Sequence, residues 1–441
     1  MFAALDWAFS PRGDAAIGVA LTAAAVPLWM GLSLLEECRG WVVQALSALG
    51  PAANRDSRRE MQLQAALGAS LLFTNGSTSE IERACTTAFR LAESLGDTEY
   101  QLRALWGLWV YRNHCGKYSA ALAVAQRFYT VAREHADPND RLSGERMIGV
   151  SHHYLGDQTE ARSHLERTLS DYVDPQRRSP FIRLRYDQKV AGQVMLARTV
   201  WLQGFANQAW RTVRRAIGDA EALGNPATLC YALCHGGCLV ALWVGNLTEA
   251  ERYTETLLDQ SSKYGLALWS AFATRLKGVV LIKGGDVDTG LPLLRACLDE
   301  ITDPNPSLPF LTGFCETAEG FFRAGRIADG LRMVKAGIKR DQGGWLTPEL
   351  LRLKGEILLL QSTPTAAETA ADLFWQALDW ARGQGALSWE LRAATSLARL
   401  LRDQGRSADA TGVLQPVYDR FTEGFETADL NAAKALLDAL H

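Results

Sequence analysis

Glycine residues recur along the chain at a spacing of about 40 residues, and this periodicity constrains the fold more than any other feature of the sequence. The markers are Gly76, Gly116, Gly156, Gly204, Gly245, Gly285, Gly325 and Gly405. The spacing is 40 residues apart from a step of 48 residues after Gly156, a step of 41 after Gly204 and a threonine at position 365, where a marker is expected. A chain of 441 residues with such a period is typical of a repeat array.

Small residues stand at fixed distances from these markers. Five positions after a marker lie Ala121, Ala161, Ala209, Ala250, Gly290, Gly330, Ala370 and Ala410, with Ile81 as the exception. Seven positions before a marker lie Ala69, Gly149, Ala197, Cys238, Gly278, Ala318 and Ala398, with Trp109 and Leu358 as exceptions. About 20 positions after some markers a second series appears, namely Gly96, Gly224, Gly265 and Gly385. The pattern predicts one helix hairpin per period, with glycine at the helix ends and small residues where the paired helices touch.

Apolar residues within the segments follow helical spacing, as Leu391, Ala394, Leu397 and Leu401 show, and no convincing alternating strand pattern occurs. The unit resembles the tetratricopeptide repeat, lengthened from about 34 residues. This resemblance implies an all-α, right-handed superhelix with a concave face, in which each repeat contacts only its neighbours. We expect a helical hairpin at 1–50 with a helix break at Pro27 and an amphipathic helix at 34–49, repeats over 51–426, and a capping helix at 427–441.

The composition is that of a globular protein: 48% of the residues are hydrophobic, 22% are charged and the formal net charge is −3. Without a basic field, nucleic acid is not expected as a direct ligand. The eight cysteines and the lack of a secretory leader predict a reduced, cytoplasmic protein. Residues 15–35 carry no charge and are long enough to cross a bilayer, so a membrane-tethered helical scaffold is an alternative to a buried hairpin.

No catalytic or cofactor-binding motif stands out. The phosphate loop G-x-x-x-x-G-K-[ST] is absent, which predicts that the chain neither binds nor hydrolyses ATP and is not an enzyme. Cys230, Cys234 and Cys238 are spaced by four residues and suggest a metal site, but helix packing is the favoured interpretation because Cys238 occupies a small-residue position. His152 and His153 are interpreted as a hydrogen-bonded or solvated pair. No cofactor and no metal are expected.

A more specific resemblance is carried by particular stretches of sequence. Residues 5–29, 96–112, 347–359, 385–406 and 421–440 look like the C-terminal helical arm of bacterial STAND-class regulators. Complete members of that family are implied to carry a winged-helix or cyclase effector, then a nucleotide-binding NTPase domain, then this arm. The resemblance implies that the arm senses an inducer or a partner and restrains or releases the NTPase. An alternative is a truncated member whose ATP-dependent or cyclase activity resides in a missing N-terminal part.

The partner-binding residues suggested by the sequence lie in the irregular step of 48 residues, where insertions in repeat arrays often reach a binding face. This basic group consists of Arg177, Arg178, Arg183, Arg185 and Lys189. It is either a solvated loop or a docking site for an acidic partner or phosphorylated effector. The sequence therefore predicts a protein-interaction or signal-sensing arm that binds protein partners or a small-molecule inducer. It leaves the oligomeric state open.

Overall fold

A computed structural model describes residues 1–32, 34–50, 56–74, 79–134, 137–172, 186–302, 313–361 and 365–440, with backbone alone at 73–74 and 296–302. These residues are helical apart from turns and short connections, and no β-strand occurs among them. The predicted all-α fold of tetratricopeptide-like helix hairpins is confirmed. The described chain divides into two compact units, residues 1–147 and residues 148–440, with the division inside one helix.

Unit 1 contains the helices that precede residue 148. They are α1 (Phe2–Ala8), α2 (Ala15–Gly31), α3 (Leu35–Ala48), α4 (Ser57–Thr74), α5 (Ser79–Leu95), α6 (Thr98–His114), α7 (Tyr118–Arg133) and the first part of α8 (Pro138–Leu155). Glycines let three of these helices approach closely. A Cβ atom at Gly68 of α4 or at Gly107 of α6 would lie 2.5 Å or 2.8 Å from Sγ of Cys85 in α5. The buried thiol therefore fills the space that the two glycines leave.

The helix break predicted at Pro27 does not occur. α2 continues through Pro27 to Gly31, and the predicted amphipathic helix follows as α3 with Cys38, Val42 and Ala45 buried on one face. A proline costs a helix one backbone donor. Here the flanking residues Ala25 and Trp29 are buried, and their packing holds the helix in spite of that loss.

The membrane-tethered alternative concerns α2, which is apolar but only 17 residues long. Large apolar side chains on and beside α1, α2 and α3 are exposed, namely Met1, Phe2, Trp7, Ile17, Leu28, Leu32 and Val43. In the part of the chain that the structure describes, one helical stretch, Pro226–Val244, passes the length and hydropathy test for a membrane span, and 78% of its apolar window is buried inside the protein. Such burial is typical of a core helix.

Unit 2 contains the second half of α8 and fifteen further α-helices interrupted by one π-helical turn among the described residues. They are α9 (Gln158–Ser170), α10 (Gln188–Leu202), α11 (Ala206–Leu223), α12 (Pro226–Ala232), the π-helical turn (Leu233–Cys238), α13 (Leu239–Val244), α14 (Leu247–Lys263), α15 (Ala267–Lys283), α16 (Val287–Thr302), α17 (Phe314–Arg323), α18 (Ile327–Asp341), α19 (Thr347–Leu359), α20 (Ala366–Gly383), α21 (Leu387–Asp403), α22 (Ser407–Tyr418) and α23 (Ala428–Asp438). The helix α23 occupies most of the segment expected to cap the array. The division into 1–50, 51–426 and 427–441 stays a prediction.

The predicted roles of the small residues are confirmed. Every described glycine of the two series has a positive φ, between 60° and 97°. The paired helices of a repeat touch at the two small-residue positions. A Cβ atom on Gly290 of α16 would lie 2.8 Å from the carbonyl oxygen of Gly278 in α15, closer than real side-chain carbons approach. Glycine is therefore required there by the neighbouring backbone.

Repeats of unit 2 that are distant in sequence also contact each other, which the nearest-neighbour prediction did not include. A Cβ atom at Gly156 would meet the Gln384 side chain at 2.7 Å, and one at Gly204 would meet Leu387 at 2.8 Å. A Cβ atom at Gly245 would lie 2.5 Å from Cβ of Ala428. The turns after α8, α10 and α13 thus pack against the α20–α23 region, so unit 2 closes on itself. The nearest-neighbour prediction was wrong because it treated the repeats as an open stack.

Two turn glycines separate backbone strain from packing. Gly245 and Gly285 both have a positive φ, of 81° and 97°, but only Gly245 has a neighbour within 4 Å of the position of a Cβ atom. We expect Gly285→Ala to lower the free energy of unfolding by about 1 kcal/mol through backbone strain. Gly245→Ala should cost at least about 1 kcal/mol more because the new methyl group overlaps Ala428. Urea unfolding followed by circular dichroism measures both, and equal losses would contradict the closure of unit 2 at this turn.

Candidate functional site

Four buried tryptophans from different repeats meet in unit 2, and we call them the aromatic centre: Trp201, Trp243, Trp345 and Trp389. The rings of Trp201 and Trp243 stack with their centroids 4.6 Å apart, and Trp389 meets Trp201 edge-on at 4.9 Å. Trp389 Nε1 donates to the carbonyl oxygen of Trp345 at 3.2 Å. Because these residues come from α10, α13, the turn before α19, and α21, the aromatic centre joins repeats that are up to about 190 residues apart. Aromatic pairs of this kind add about 0.5–1.5 kcal/mol each beyond the area they bury.

A network of buried charges lies directly beside the aromatic centre. Glu349 of α19 is 2% exposed and accepts two hydrogen bonds of 2.8 Å from Arg352, one on each carboxylate oxygen. Arg392 of α21 donates to Glu349 at 3.1 Å and to Asp429 at 2.7 Å. Its guanidinium also lies over the rings of Trp201 and Trp389, at 5.2 Å and 5.0 Å from their centroids. Arg392 therefore connects the charged network to the aromatic centre.

Burial and charge act in opposite directions on these groups. Burial by itself raises the pKa of Glu349, but the guanidinium groups of Arg352 and Arg392 outweigh it and lower the pKa below its usual value. Burial lowers the pKa of Arg352, and the Glu349 carboxylate more than offsets this, so that pKa is raised. The network is charged at neutral pH. Removing one member of such a network leaves an uncompensated buried charge.

A pocket of about 400 Å³ opens beside Trp243 and above this network. Its wall is formed by the ends of α13 and α15 and by the sides of α17, α19, α21 and α23. We call it the basic pocket because its lining contains five cationic side chains and two carboxylates: Lys283, Arg323, Arg352, Arg392 and Arg399, with Glu319 and Asp429. The hydroxyl groups of Thr395 and Ser396 and an apolar wall complete it: Leu242, Trp243, Leu247, Ala428 and Ala432.

Three of the cations, which we call the outer cations, are incompletely neutralised: Lys283, Arg323 and Arg399. Lys283 Nζ and Arg323 Nε share the Glu319 carboxylate at 2.6 Å and 2.8 Å. Burial by itself raises the pKa of Glu319, but the two cations outweigh it and lower the pKa well below its usual range. The Arg399 side chain is exposed and makes no ion pair or hydrogen bond with any residue that the structure describes. A recess lined in this way attracts anions.

The repeat register explains how distant residues line one pocket. Trp243, Lys283 and Arg323 each lie two positions before a marker glycine in three successive repeats. Arg352 and Arg392 are likewise 40 residues apart. Equivalent positions of adjacent repeats lie side by side in a stacked array. The recurrence of basic residues at these two positions is the signal that could have identified the basic pocket from the sequence.

The basic group predicted from the sequence lies mostly outside the described residues. Arg177, Arg178, Arg183 and Arg185 all fall there, and the structure describes only Lys189 of this group. Lys189 Nζ forms an ion pair of 2.7 Å with Asp219, and both side chains are 30% exposed. The docking role of the group stays a prediction. The cations of the basic pocket come from other helices, and the sequence analysis did not select them.

The three regularly spaced cysteines are buried thiols. Burial raises the pKa of Cys230 and Cys238 to about 12, so these thiols stay protonated at neutral pH. No group of three or more His, Cys, Asp and Glu in the described chain has a geometry that could hold a metal. The cysteines lie in and beside the π-helical turn, which the sequence analysis did not predict. Its Gly236 and Gly237 face α11 and α14, where a Cβ atom would approach Val213 at 2.7 Å and Tyr253 at 3.0 Å.

His153 is fully buried, whereas its neighbour His152 stacks on His164 with centroids 5.5 Å apart. His153 Nδ1 lies 3.0 Å from Gln158 Oε1 and 3.0 Å from Thr199 Oγ1. Burial lowers the pKa of His153, and the positive charge of Arg198 lowers it further. Arg198 itself is 1% exposed and lies over the Trp345 ring at 4.6 Å. The two histidines are thus satisfied by packing and hydrogen bonds.

The recurring tryptophans mostly pack in the interior. Trp109, Trp201, Trp243 and Trp389 are at most 5% exposed. Trp106, Trp210 and Trp269 are half-buried. Only Trp375 and Trp380 of α20, each 43% exposed, stand out from the described surface as candidate interaction anchors.

The chain matches no protein-family model and no curated protein. Solved structures of helical-repeat proteins are similar to it. A Rap protein complexed with competence and sporulation factor is 12% identical over 89% of this chain and 99% of its own, with a TM-score of 0.46. A STAND protein with a tetratricopeptide repeat sensor from Pyrococcus horikoshii is 12% identical over 96% of this chain and 65% of its own, with a TM-score of 0.42. Yeast Tom70 is 11% identical over 99% and 90%, with a TM-score of 0.33. The similarity is one of helical-repeat fold and does not single out the STAND class.

Glu349 should be essential to the stability of unit 2. We expect Glu349→Gln to lower the free energy of unfolding by about 3 kcal/mol because two buried guanidinium groups lose their shared counter-charge. The control is Asp403→Asn, which removes an exposed carboxylate paired with Arg402 at 2.8 Å and should cost less than about 1 kcal/mol. Urea unfolding measures both variants. A loss of equal size in the two would show that the buried network contributes no more than a surface pair.

The lowered pKa of His153 predicts that acid destabilises the protein. Above about pH 6.5 both the folded and the unfolded chain hold this histidine neutral, and below it the unfolded chain binds a proton that the folded chain rejects. Stability should therefore fall as the pH drops from about 6.5 towards the folded pKa, by up to about 1.4 kcal/mol per pH unit. His153→Gln should reduce this slope and His164→Gln should keep it. Urea midpoints measured between about pH 8 and pH 5.5 give the slopes, and an unchanged slope in His153→Gln would refute the assignment.

Proposed function

We propose that the chain is a non-enzymatic, partner-binding arm of a bacterial cytoplasmic regulator, and that its basic pocket binds an acidic segment of a protein partner. The observation that carries the proposal is the set of outer cations. Lys283, Arg323 and Arg399 share one lining carboxylate, Glu319, in a chain whose net charge is −3. An excess of positive charge inside a recess of an otherwise slightly acidic protein favours a negatively charged ligand.

The chemistry of the lining favours carboxylates or phosphoryl groups as ligands. Guanidinium groups donate two parallel hydrogen bonds to such groups, and these bonds are stronger than bonds between neutral partners. The apolar wall formed by Leu242, Leu247 and Ala428 provides a contact for an apolar side chain next to the anionic one. A protein segment offers both kinds of group together. A small-molecule inducer of the same chemistry is the second candidate ligand.

Binding at this pocket is placed to affect the rest of unit 2. Arg392 lines the pocket and also contacts Trp201 and Trp389 of the aromatic centre. A ligand that draws on Arg392 would change the contacts among α10, α13 and α21. In a regulator of the STAND class such a change would shift the population of restrained and released states of the NTPase module. The STAND assignment rests on the sequence resemblance and belongs to the proposal.

The proposal predicts that binding of an acidic peptide depends on the outer cations. The assay is fluorescence anisotropy with a labelled 12-residue peptide of alternating Glu and Leu, and the same peptide with Gln for Glu serves as the neutral probe. We expect Arg323→Ala/Arg399→Ala to weaken binding of the acidic peptide by about 1.5–3 kcal/mol because charge-assisted hydrogen bonds are lost. Arg402→Ala removes one exposed cation from the same helix and should have little effect.

The same assay tests the alternative docking site. If the acidic peptide binds through the basic group of the irregular step, Arg183→Ala/Arg185→Ala should weaken binding and Arg323→Ala/Arg399→Ala should not. If the acidic peptide binds no better than the neutral probe, the proposed function of the basic pocket is wrong. Thermal unfolding of each variant checks that the substitutions leave the fold intact.

A further inference from the structure

We infer that the basic pocket recognises a dianionic group, either a phosphoryl group or two neighbouring carboxylates, and discriminates against the same charge spread along the partner segment. This inference rests on the proposed function and adds the charge and spacing of the ligand. It is drawn from the distribution of counter-charges among the five cations of the lining.

The two inner arginines of the pocket already have their counter-charges. Arg352 pairs with Glu349 through two bonds of 2.8 Å and lies 3.5 Å from Glu356. Arg392 pairs with Glu349 at 3.1 Å and with Asp429 at 2.7 Å. Its remaining terminal nitrogen donates to the carbonyl oxygen of Trp243 at 3.4 Å. These arginines are held in place by the protein and leave little for a ligand to neutralise.

The outer cations are different. Lys283 and Arg323 together have one carboxylate, Glu319, and only Nε of Arg323 is engaged with it. Its two terminal nitrogens bond to no described residue, and the whole Arg399 guanidinium is likewise without a described partner. Three cations facing one carboxylate leave an excess of two positive charges. One carboxylate from a ligand would neutralise half of that excess, and a dianion neutralises all of it.

The size of the pocket sets the spacing of the two negative charges. A volume of 400 Å³ corresponds to a recess about 7 Å across, which two residues of an extended chain span at about 3.3–3.6 Å each. Two acidic residues six positions apart are separated by about 20 Å when extended, so only one of them fits. A phosphoryl group, or two adjacent acidic residues, brings both charges into the recess together. The apolar wall then favours an apolar residue beside the dianionic group.

Four labelled decapeptides of otherwise identical Gly, Ser and Leu composition test the inference by fluorescence anisotropy with the full chain at about pH 7.5. The first carries one phosphoserine next to leucine, the second an adjacent pair of aspartates next to leucine, the third two aspartates six positions apart, and the fourth no acidic residue. A phosphoserine carries about two negative charges at this pH, so the first three peptides match in charge. We expect at least one of the first two to bind 10-fold or more tightly than the third. Their order identifies whether phosphoryl or paired carboxylates are preferred.

Variants assign the effect to the outer cations. Arg399→Ala should weaken the dianionic peptides about 10-fold and the third peptide less than twofold, because only a dianion uses both charges in the pocket. Arg399→Lys keeps the charge but not the forked donors and should give an intermediate affinity. Arg402→Ala is the control and should change every affinity less than twofold. Arg399 and Arg402 are exposed, so both variants should fold, and circular dichroism verifies this.

The outcomes separate this inference from the proposed function. If the third peptide binds as tightly as the first two, or if Arg399→Ala leaves the dianionic peptides unaffected, recognition of a local dianion is wrong while binding of acidic segments stands. If no acidic peptide binds more tightly than the neutral one, the proposed function itself fails and this inference fails with it. A preference for a dianionic peptide that is lost in Arg399→Ala and kept in Arg402→Ala supports both.

Discussion

The close approach of paired helix backbones at small residues is the constraint on which the rest of the structure depends. At Gly278 and Gly290 the backbones are so near that neither position has room for a Cβ atom. The same pair of positions recurs about every 40 residues as glycine or alanine in most repeats. Repeated contacts of one geometry give each hairpin a similar shape, so equivalent positions of adjacent repeats fall beside each other. This register brings Lys283 next to Arg323 and Arg352 next to Arg392 in one pocket.

Closure of unit 2 is the second determinant, and aromatic and ionic contacts accomplish it together. Trp201, Trp243 and Trp389 form a dry interior, and Arg392 covers two of their rings while it pairs with Glu349 and Asp429. A buried ion pair of this kind contributes little net stability compared with apolar residues of the same size, because desolvation of the charges offsets their attraction. Its value lies in position: it holds a guanidinium group at the boundary between the interior and the basic pocket.

The basic pocket also shows why net charge is a poor guide to the ligand of a repeat protein. A formal charge of −3 over 441 residues argues against a strong global field, and that argument holds for nucleic acid. It does not describe a recess in which the cations of α15, α17 and α21 share one carboxylate. Local counter-charge decides what such a recess attracts, and only the folded arrangement determines which carboxylate reaches which cation.

The sequence by itself determined the helix hairpins, their period, and the turn glycines with positive φ, because these depend on backbone geometry within about 40 residues of chain. It also contained the basic residues at equivalent repeat positions, although their convergence was not visible. Three features required the tertiary structure: the π-helical turn, the continuation of α2 through Pro27, and the closure that packs Gly204 against Leu387 and Gly245 against Ala428. Packing overrode local preference in α2, and closure depends on small rotations between repeats that add up over many hairpins. No single repeat specifies that sum, so the aromatic centre and the basic pocket exist only in the folded chain.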